Sequence, residues 1–432
     1  MNFTFIGLGY VGLVNSVLLA SFYHNVIGYD IDKNKIELLK QGVSTIEEPN
    51  LQTLLSEAKT KLRFTSNAQD AISINNIIVI CVDTPNKNGQ IDLTHFNEAL
   101  DDIARYAEQD SFIIIRSTVP VGTNKYTKEY LESRSKYKFQ IISMPEFMSE
   151  STAVYDTINP YRLVIGVNNQ ESIEFAQSIT PVFLTKKVPV LITTPENAEL
   201  IKLSSDGFIA TKISFTNSLA KICEDVGADI DRVSLGLSLD PRIGKSFLKP
   251  GIGYGGVMEE TIDPNCWILS RKETNFEVVK AAMEVNKKQA ARLLDKIFKK
   301  YKAVSSLTIG VLGASYKANT EDIRNSAAIE IIRTLLDKGA DIQLYDPLSM
   351  DKVEKVFSRH THIKYKNYAK DAIKGTHLVL ILTNADEFKL IKPEDYISLM
   401  IAKPVVIDAH NIYKVNEMNG IEYISNGRKS SK

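Results

Sequence analysis

One local pattern occurs twice in this chain, and it restricts the possible folds more than any other feature. Near the N-terminus, the apolar run FTFIG leads into a turn that contains Gly7, Gly9 and Gly12, then an apolar helical stretch, then a second run that ends at Asp30. The apolar runs NIIVICV and SFIIIRS follow. The last third repeats this order with LTIGVLG, a helical stretch, DIQLYDP, HLVLILT and PVVIDAHN. Strands that alternate with helices favour parallel sheets with helices on both faces. We therefore predict an α/β fold with two Rossmann-like, doubly wound domains joined by a long central helix.

The stretch between the two domains is predicted to be helical. Apolar side chains between positions 196 and 224 fall on one broad helical face, and a second helix is expected over about 276–300. Between them lies a loop rich in glycine and proline, residues 240–265, and a loop of this length without regular structure is often functional. The polar tail NGRKSSK is expected to be frayed. The predicted domains are a first Rossmann-like domain over 1–195, a helical connection over 196–300 and a second Rossmann-like domain over 301–432.

The composition argues against several classes of protein. The 432 residues include 52 Lys and Arg and 52 Asp and Glu, whereas nucleic-acid-binding proteins usually carry a basic surplus. The apolar runs are far shorter than the roughly 20 residues that cross a bilayer. The 6 histidines are scattered, so no metal site is expected. The 3 cysteines do not make a disulfide framework in a chain of this length, and a cytoplasmic location is expected.

The first glycine turn predicts a dinucleotide site. Gly7 permits a tight turn, Gly9 lets a pyrophosphate approach the backbone, and Gly12 allows helix and strand to pack closely. The N-terminus of the following helix offers free N–H groups to an anion. Asp30 would bind the adenine-ribose hydroxyls and repel a 2′-phosphate, which favours NAD over NADP. The alternative is a tight turn that binds no ligand.

The second repeat is expected to bind a different ligand. Its turn, VLGASYK, lacks the second and third glycines of the motif. Asp346 ends the strand that corresponds to the one ending at Asp30, and we interpret it as part of a strand-terminating turn.

Ordered blocks along nearly the whole chain carry a family resemblance. They are GLGYVGL, the Thr84-Pro85 turn, STVPVGT, PEFMSESTAVYDTINPYRLVIG, ENAELIKL, TKISFTNSLAKICEDVGAD, LDPRIGKSFLKPGIGYGG and YKANTEDIRNSAAIEIIRTLLDKGADIQLYDP. With these blocks the chain resembles the UDP-glucose/GDP-mannose dehydrogenase family. The resemblance implies that the first domain binds NAD, that the second helps to hold a UDP-sugar, and that the central helical region builds a homodimer. It also implies a four-electron reaction, in which the C6 alcohol of the sugar becomes a carboxylate at the expense of two NAD.

The resemblance also assigns roles to single positions. The catalytic positions are Thr118, Glu146, Glu150, Lys202, Asp206, Asp263 and Met258, the last at the place of the family nucleophile. The cofactor-binding positions are Gly7, Gly9, Tyr10, Val11, Gly12, Asp30, Lys35, Thr84, Pro85, Thr118 and Glu150. The substrate-binding positions are Phe147, Lys202, Arg242, Phe247, Leu248, Gly255, Lys317 and Arg324. For the glutamates and for Lys202, the alternative is a solvated loop or an exposed helix face.

One position departs from the family pattern. In related enzymes a cysteine after the paired glycines captures the intermediate aldehyde as a thiohemiacetal, but here the residue at that spacing is Met258, whose thioether cannot form the adduct. Cys266 lies nearby in an apolar segment and is interpreted as a small buried residue, as are Cys81 and Cys223. Asp206 stands where the family usually has asparagine, so it adds charge unless it is protonated or paired with Lys202.

Three hypotheses remain open at this point. The first is a complete UDP-sugar dehydrogenase. Either the register of its loop differs from the one counted from the paired glycines, or the enzyme oxidises its aldehyde as the hydrate, with Glu259, Glu260 or Glu150 as the base for water. The second is an enzyme that keeps only the first hydride transfer and either releases the 6-aldehyde or uses a transient oxidation. The third is a non-catalytic relative that binds a UDP-sugar or NAD.

Overall fold

The fold consists of two compact units in a computed structural model of the chain. The structure describes residues 1–87, 89–183, 187–269, 276–401 and 403–430. The first unit comprises Met1–Asp206 and Asp263–Asn275, and the second comprises Gly207–Ile262 and Phe276–Lys432. In the described part of the chain, no helix is both long and apolar enough to span a membrane.

The first unit is built on an eight-stranded sheet with the strand order β10-β9-β8-β7-β4-β1-β2-β3. Neighbouring strands are parallel except for the single antiparallel contact between β8 and β9, and β5 and β6 form a separate hairpin. The strands are β1 Asn2–Ile6, β2 Asn25–Tyr29, β3 Leu62–Thr65, β4 Ile77–Ile80, β5 Asn86–Lys87, β6 Gln90–Ile91, β7 Ser111–Ile115, β8 Phe139–Ser143, β9 Leu163–Gly166 and β10 Val190–Thr193. The chain changes direction across the sheet between β1 and β4, and ligands of such sheets bind at the carboxyl ends of the strands at this point.

Helices cover both faces of this sheet. Along β4, the side chain of Val79 belongs to one apolar cluster, and those of Ile78 and Ile80 belong to another. A central parallel strand is buried on both faces, which explains why its sequence is a continuous apolar run. The helices are α1 Tyr10–Ser21, α2 Lys33–Lys40, α3 Leu51–Glu57, α4 Ala68–Ile72, α5 Thr94–Tyr106, α6 Thr123–Glu132, α7 Ala153–Ile158 and α8 Gln170–Phe183, with 3-10 turns at Ala58–Thr60 and Pro264–Cys266. The long helix α9, Pro195–Val226, begins in the first unit, and its residues from Gly207 onward belong to the second.

The second unit contains a six-stranded parallel sheet with the order β13-β12-β11-β14-β15-β16. Its strands are β11 Thr308–Leu312, β12 Asp341–Tyr345, β13 Ile363–Tyr365, β14 Leu378–Ile381, β15 Val405–Asp408 and β16 Glu422–Ser425. Its helices are α10 Ile230–Ser238, α11 Gly256–Thr261, α12 Glu277–Lys287, α13 Gln289–Lys300, α14 Ala327–Asp337, α15 Met350–Val356, α16 Ala369–Ile373, α17 Asp386–Lys389 and α18 Pro393–Leu399, with a 3-10 turn at Val415–Glu417.

The predicted α/β class, the two Rossmann-like sheets and the long central helix are confirmed. The two sheets share one local hydrogen bond between an aspartate and a backbone N–H. In the first unit, Asp30 accepts the N–H of Leu8 just after Gly7, and in the second, Asp346 accepts the N–H of Ala314 just after Gly313, each at 2.8 Å. The aspartate that ends the second strand thus ties down the turn after the first strand in both units.

Three local predictions were wrong. The helix expected over 276–300 is two helices, because the N–H of Lys288 bonds the carbonyl of Val285 three residues back and tightens the turn there. The tail is docked rather than frayed at its start, since Gly427 donates to Glu224 and accepts from Ile230, each at 2.8 Å. The loop 240–265 also contains regular structure, in the form of α11 and the beginning of a 3-10 turn.

Candidate functional site

The three glycines of the first turn have different physical requirements. Gly7 has a φ of +87°, and a Cβ there would lie 2.9 Å from the backbone of Cys81. At Gly12, a Cβ would lie 1.8 Å from the carbonyl oxygen of Gly7. At Gly9, the nearest atom would be an oxygen of Asp83 at 3.7 Å, an ordinary contact. Folding therefore requires glycine at the first and last positions, whereas Gly9 leaves open space at the N-terminus of α1, where a phosphate can approach the backbone.

Asp30 organises the entrance to this turn. One of its carboxylate oxygens accepts the N–H of Leu8 at 2.8 Å and pairs with the ammonium of Lys35 at 2.7 Å. The other accepts the N–H of Asp32 at 3.0 Å. The carboxylate is thereby held at the end of β2, beside the glycine turn.

A cavity of about 240 Å³ opens beside these residues. Its charged lining is mostly acidic, since Lys35 is accompanied by Asp30, Asp32, Asp83, Glu98 and Asp102. A negative lining disfavours the additional 2′-phosphate of NADP and accepts the uncharged ribose hydroxyls of NAD. The residues present therefore fit NAD.

The carboxyl ends of β4 and β7 are linked through their loops. The hydroxyl of Thr84 donates to the carbonyl of Thr118 at 2.6 Å, and the hydroxyl of Ser117 donates to the carbonyl of Val82 at 2.7 Å. Pro85 follows directly in the first loop. These bonds bring together two segments, around Thr84 and Thr118, that are far apart in the sequence.

A buried lysine between two carboxylates forms the charged centre of the first unit. The Nζ of Lys202 on α9 lies 3.2 Å from Glu146 and 3.2 Å from Asp206. Burial opposes the charge of this ammonium, but the two carboxylates outweigh burial and hold the pKa of Lys202 above its ordinary value. Lys202 therefore remains a cation through the neutral range.

Asp206 adds a negative charge where the family usually has asparagine, and this charge is paired with the ammonium of Lys202. Burial raises the pKa of Asp206, the Glu146 carboxylate adds to this effect, and Lys202 opposes it. A further cation, Arg162, lies near this aspartate, and burial lowers the pKa of its guanidinium. The Arg162 guanidinium also stacks 3.8 Å from the centre of the Phe147 ring and donates to Ser205 at 2.9 Å.

The other assigned residues of the first unit lie in the loops and in the first turn of α1. Glu146 accepts the N–H of Met148 at 2.6 Å, and Glu150 is half-buried four residues further along. Tyr10 and Val11 begin α1, where the Tyr10 hydroxyl donates to the carbonyl of Glu47 at 2.8 Å. Asp263 caps the 3-10 turn by accepting the N–H of Asn265 at 3.0 Å.

In the second unit, the glycine loop before α11 packs against the segment that follows β11. The N–H of Gly256 donates to the carbonyl of Arg324 at 2.8 Å. A Cβ on Gly255 would lie 2.5 Å from the carbonyl oxygen of Asn325, and one on Gly256 would lie 2.8 Å from the ring of Tyr316. Only glycines allow the loop to approach so closely, and this contact places Arg324 beside the loop that carries Met258.

The two assigned arginines are held by the same local motif, Asp-x-Arg. Arg242 binds Asp240 through Nε at 3.0 Å and through a terminal nitrogen at 2.6 Å. Arg324 binds Asp322 with the same atoms at 3.0 and 2.6 Å. The guanidinium side chains are 87% and 49% exposed, so each is oriented by its aspartate while much of its surface faces solvent. A fork oriented in this way suits recognition of a phosphate.

The remaining substrate-binding candidates also lie in the second unit. Phe247 has a φ of +63° and is half-exposed, while Leu248 is buried. The ammonium of Lys317 lies 5.5 Å from the centre of the Tyr316 ring.

The three cysteines are all buried, and none is activated. Burial raises the pKa of Cys81 to about 12 and that of Cys266 to about 11, and burial also raises the pKa of Cys223. The thiol of Cys266 donates to the carbonyl of Gly89 at 3.0 Å and accepts from Asn86 at 3.1 Å. A catalytic thiol needs a lowered pKa, so these environments are those of structural cysteines.

Glu259 is the titratable residue that directly follows Met258 in the sequence. Burial is the main cause that raises its pKa to about 7, and Glu330 and Glu260 contribute, whereas Lys287 opposes the shift. A carboxyl group with this pKa can act as a general base near neutral pH.

Sequence reasoning missed several polar residues of the site. Asp240 and Asp322 orient the arginines, Arg162 balances the acidic cluster, and Glu199 binds two loops of the first unit. The Asp-x-Arg spacing occurs at both arginines and was the available signal for the first two. Among the described residues, no group of histidines, cysteines and carboxylates could hold a metal ion.

Comparison with known proteins agrees with this arrangement. Residues 1–183 match the NAD binding domain, residues 196–288 the central domain and residues 310–415 the UDP binding domain of the UDP-glucose/GDP-mannose dehydrogenase family. The chain is 37% identical to the UDP-glucose 6-dehydrogenase YwqF of Bacillus subtilis (strain 168), over 100% of this chain and 98% of that protein. It is 36% identical to the UDP-glucose 6-dehydrogenase of Rickettsia bellii (strain RML369-C), over 99% of this chain and 100% of that protein.

Solved structures give the same result. A UDP-glucose dehydrogenase from Pyrobaculum islandicum superposes with a TM-score of 0.88 at 27% identity, covering 99% of this chain and 97% of that one. A UDP-N-acetyl-mannosamine dehydrogenase, Cap5O from Staphylococcus aureus, superposes with a TM-score of 0.81 at 25% identity, covering 99% of this chain and 98% of that one. The glycine turn, the acidic cavity and the matched domains together show that the chain belongs to the UDP-glucose/GDP-mannose dehydrogenase family.

Proposed function

We propose that the protein is an NAD-dependent dehydrogenase that oxidises the C6 alcohol of a UDP-sugar, with UDP-glucose as the first candidate. The observation that carries this proposal is the buried ammonium of Lys202, held between Glu146 and Asp206 in the NAD-binding unit. A permanent cation in a buried setting stabilises the negative charge that develops on an alcohol oxygen as its proton and hydride leave. The relatives named above support the choice of UDP-glucose.

Each group of residues has a role in this proposal. Gly9 and Asp30 would hold NAD, which supplies a hydride acceptor when bound. Lys202 stabilises the C6 oxygen, and Thr118, Glu146 and Glu150 position the reacting carbon and water. In the second unit, Arg242, Lys317 and Arg324 bind the diphosphate, while Phe247, Leu248 and Gly255 contact the sugar nucleotide.

We place Met258 at the position of the family nucleophile, so the second oxidation proceeds without a thioester. Water adds to the aldehyde to give a hydrate, and the hydrate loses a hydride and a proton to become the carboxylic acid. Glu259 serves as the base that removes the proton, and its pKa of about 7 supports this role. The raised pKa values of Cys81, Cys223 and Cys266 argue against a substitute nucleophile.

A second candidate function is a dehydrogenase that releases the 6-aldehyde. The same buried thiols favour it, because without a covalent adduct the aldehyde is free to leave. A binding protein without catalysis is the third alternative.

One experiment separates these functions. The purified protein is incubated with NAD and a panel of UDP-hexoses, and both NADH per sugar and product mass are measured. We expect two NADH per sugar and a uronate product. One NADH and an aldehyde would identify the second candidate, and no NADH with any sugar would contradict dehydrogenase activity. Intact-mass analysis tests the mechanism, because a sugar linked to the protein as a thioester would contradict the hydrate route.

We also propose that the protein is a cytoplasmic homodimer. Three exposed apolar residues on α9, Phe208, Phe215 and Ile222, recur every seven positions and so share one helical face. Such a face fits the same face of a second copy. Phe215→Glu is expected to give a monomer by light scattering, whereas Leu390→Glu, which changes an exposed apolar residue elsewhere, should leave the dimer intact. A dimer that persists in Phe215→Glu with Phe208→Glu would contradict this interface.

A further inference from the structure

One buried glutamate contacts two loop segments of the first unit from the helix that carries Lys202. Glu199 is 3% exposed and lies one helical turn before Lys202 on α9. One of its carboxyl oxygens accepts the N–H of Gly122 at 2.8 Å. The other accepts the N–H of Asn124 at 2.9 Å and the hydroxyl of Ser143 at 3.1 Å. A buried carboxyl group is costly unless its bonds are satisfied, and here both oxygens have donors.

The contacts with Gly122 and Asn124 supply a cap that α6 lacks in its own sequence. The N-cap of α6 is Gly122, which offers no side chain for the free N–H groups of the first turn. A carboxyl group from another helix fills this place by accepting backbone N–H groups at the start of α6. The loop that ends at this cap begins with Ser117 and Thr118, whose contacts to Val82 and Thr84 hold its other end. Glu199 therefore holds the end of the loop that carries Thr118.

The contact with Ser143 reaches the start of the loop that carries Glu146. Ser143 is the last residue of β8, and Glu146 follows three residues later. The carboxylate of Glu146 in turn lies 3.2 Å from the ammonium of Lys202. One side chain thus connects α9, the Thr118 loop and the start of the Glu146 loop.

We propose that Glu199 is a positioning residue for C6 oxidation, which sets the loops of Thr118 and Glu146 in place relative to Lys202. This inference rests on the proposed dehydrogenase function. Glu199 acts through the backbone N–H groups of Gly122 and Asn124 and the hydroxyl of Ser143 rather than on the substrate. Burial raises the pKa of Glu199 to about 7, because burying the ionised carboxylate is unfavourable. The position nevertheless gains two oxygens that accept hydrogen bonds.

The test compares Glu199→Gln with a matched loss of another helix cap. Glutamine keeps the size of the side chain but replaces one acceptor oxygen with an amide that faces a backbone N–H. Asn67→Ala is the control, since Asn67 caps α4 by accepting the N–H groups of Gln69 and Asp70 and lies outside the proposed machinery. For each variant, kcat, the KM for NAD and the melting temperature are measured with the UDP-sugar that the wild type oxidises.

We expect Glu199→Gln to lower kcat by about 10-fold or more, because a small misplacement of catalytic groups is costly, while the KM for NAD changes less than about two-fold. Both variants should lower the melting temperature by similar amounts, since each loses a helix cap. In Asn67→Ala, however, kcat should be nearly unchanged. A Glu199→Gln enzyme with the kcat of the control would overturn the positioning role. A rise in the KM for NAD at constant kcat would overturn it as well. Failure of the wild type to reduce NAD would count against the proposed function instead, so the two failures are distinguishable.

Discussion

At the scale of single residues, close backbone approach decides which positions tolerate change. Gly7 and Gly12 touch the backbone of their own unit, whereas Gly9 faces open space. The same glycine motif therefore combines two requirements, one for folding and one for a ligand. The sequence spacing alone does not separate them, because the separation depends on which atoms lie within van der Waals distance of each Cα.

This difference predicts that alanine at Gly9 lowers NAD affinity, whereas alanine at Gly12 lowers stability. Gly9→Ala should fold normally but bind NAD at least about 10-fold more weakly, since the added methyl group occupies the space of the approaching phosphate. Gly12→Ala should destabilise the protein by more than about 2 kcal/mol, because its Cβ would overlap the carbonyl of Gly7. Calorimetric titration with NAD and urea unfolding measure the two effects. Equal NAD affinity in Gly9→Ala and wild type would refute the assigned role of Gly9.

At the scale of secondary-structure elements, the beginning of α9, up to Asp206, organises two loops of the first unit. Its first two turns carry Glu199 and Lys202, and both side chains are buried against loops that follow parallel strands. Helical spacing places these two residues on neighbouring positions of one helix face. The helix therefore presents an acceptor and a cation to adjacent loops, although only the folded sheet brings those loops together.

The raised pKa of Glu199 predicts how stability depends on pH. In the folded protein the group keeps its proton up to a pH of about 7, whereas in the unfolded chain it ionises near its ordinary value of 4.5. Its contribution to the free energy of unfolding is therefore complete below pH 4.5 and decreases as the pH rises to about 7. Glu199→Gln removes this dependence. Urea unfolding of both proteins at pH 5 and pH 7.5 should show wild type losing stability relative to the variant, and a constant difference would contradict the shift.

At the scale of the whole molecule, each unit closes its own core and ties its loops with specific polar contacts. In the second unit, the chain after β16 docks on α9 and α10 through Gly427 and Arg428. A Cβ on Gly427 would lie 2.7 Å from the side chain of Ile230. The Arg428 guanidinium pairs with Asp231 and donates to the carbonyl of Tyr413 at 2.7 Å. The end of the described chain is therefore part of the fold of this unit.

Two glycine substitutions test this docking against a matched control. Gly427 and Gly375 both have positive φ, of 66° and 74°, so alanine at either position costs about 1–2 kcal/mol of backbone strain. Around Gly375 no atom lies within 4 Å of a Cβ, whereas Gly427 meets Ile230. We expect Gly427→Ala to lower the melting temperature by several degrees more than Gly375→Ala. Equal losses in thermal unfolding would show that the tail does not press against α10.

Apolar runs, glycine turns and terminal aspartates recur in the same order in both Rossmann-like domains, and this local pattern was sufficient to predict the architecture. The sequence also pointed to NAD through Gly7, Gly9, Gly12 and Asp30, since these residues lie close together in the sequence, within one strand-helix-strand unit. Contacts and burial that involve residues far apart in the sequence became visible only in the folded structure. The contact of Lys202 with Glu146, the state of the thiols, the docked tail and the contacts of Glu199 all arise where segments distant in the sequence meet. Burial and paired charge at such meeting points depend on three-dimensional distance, which residue spacing does not contain.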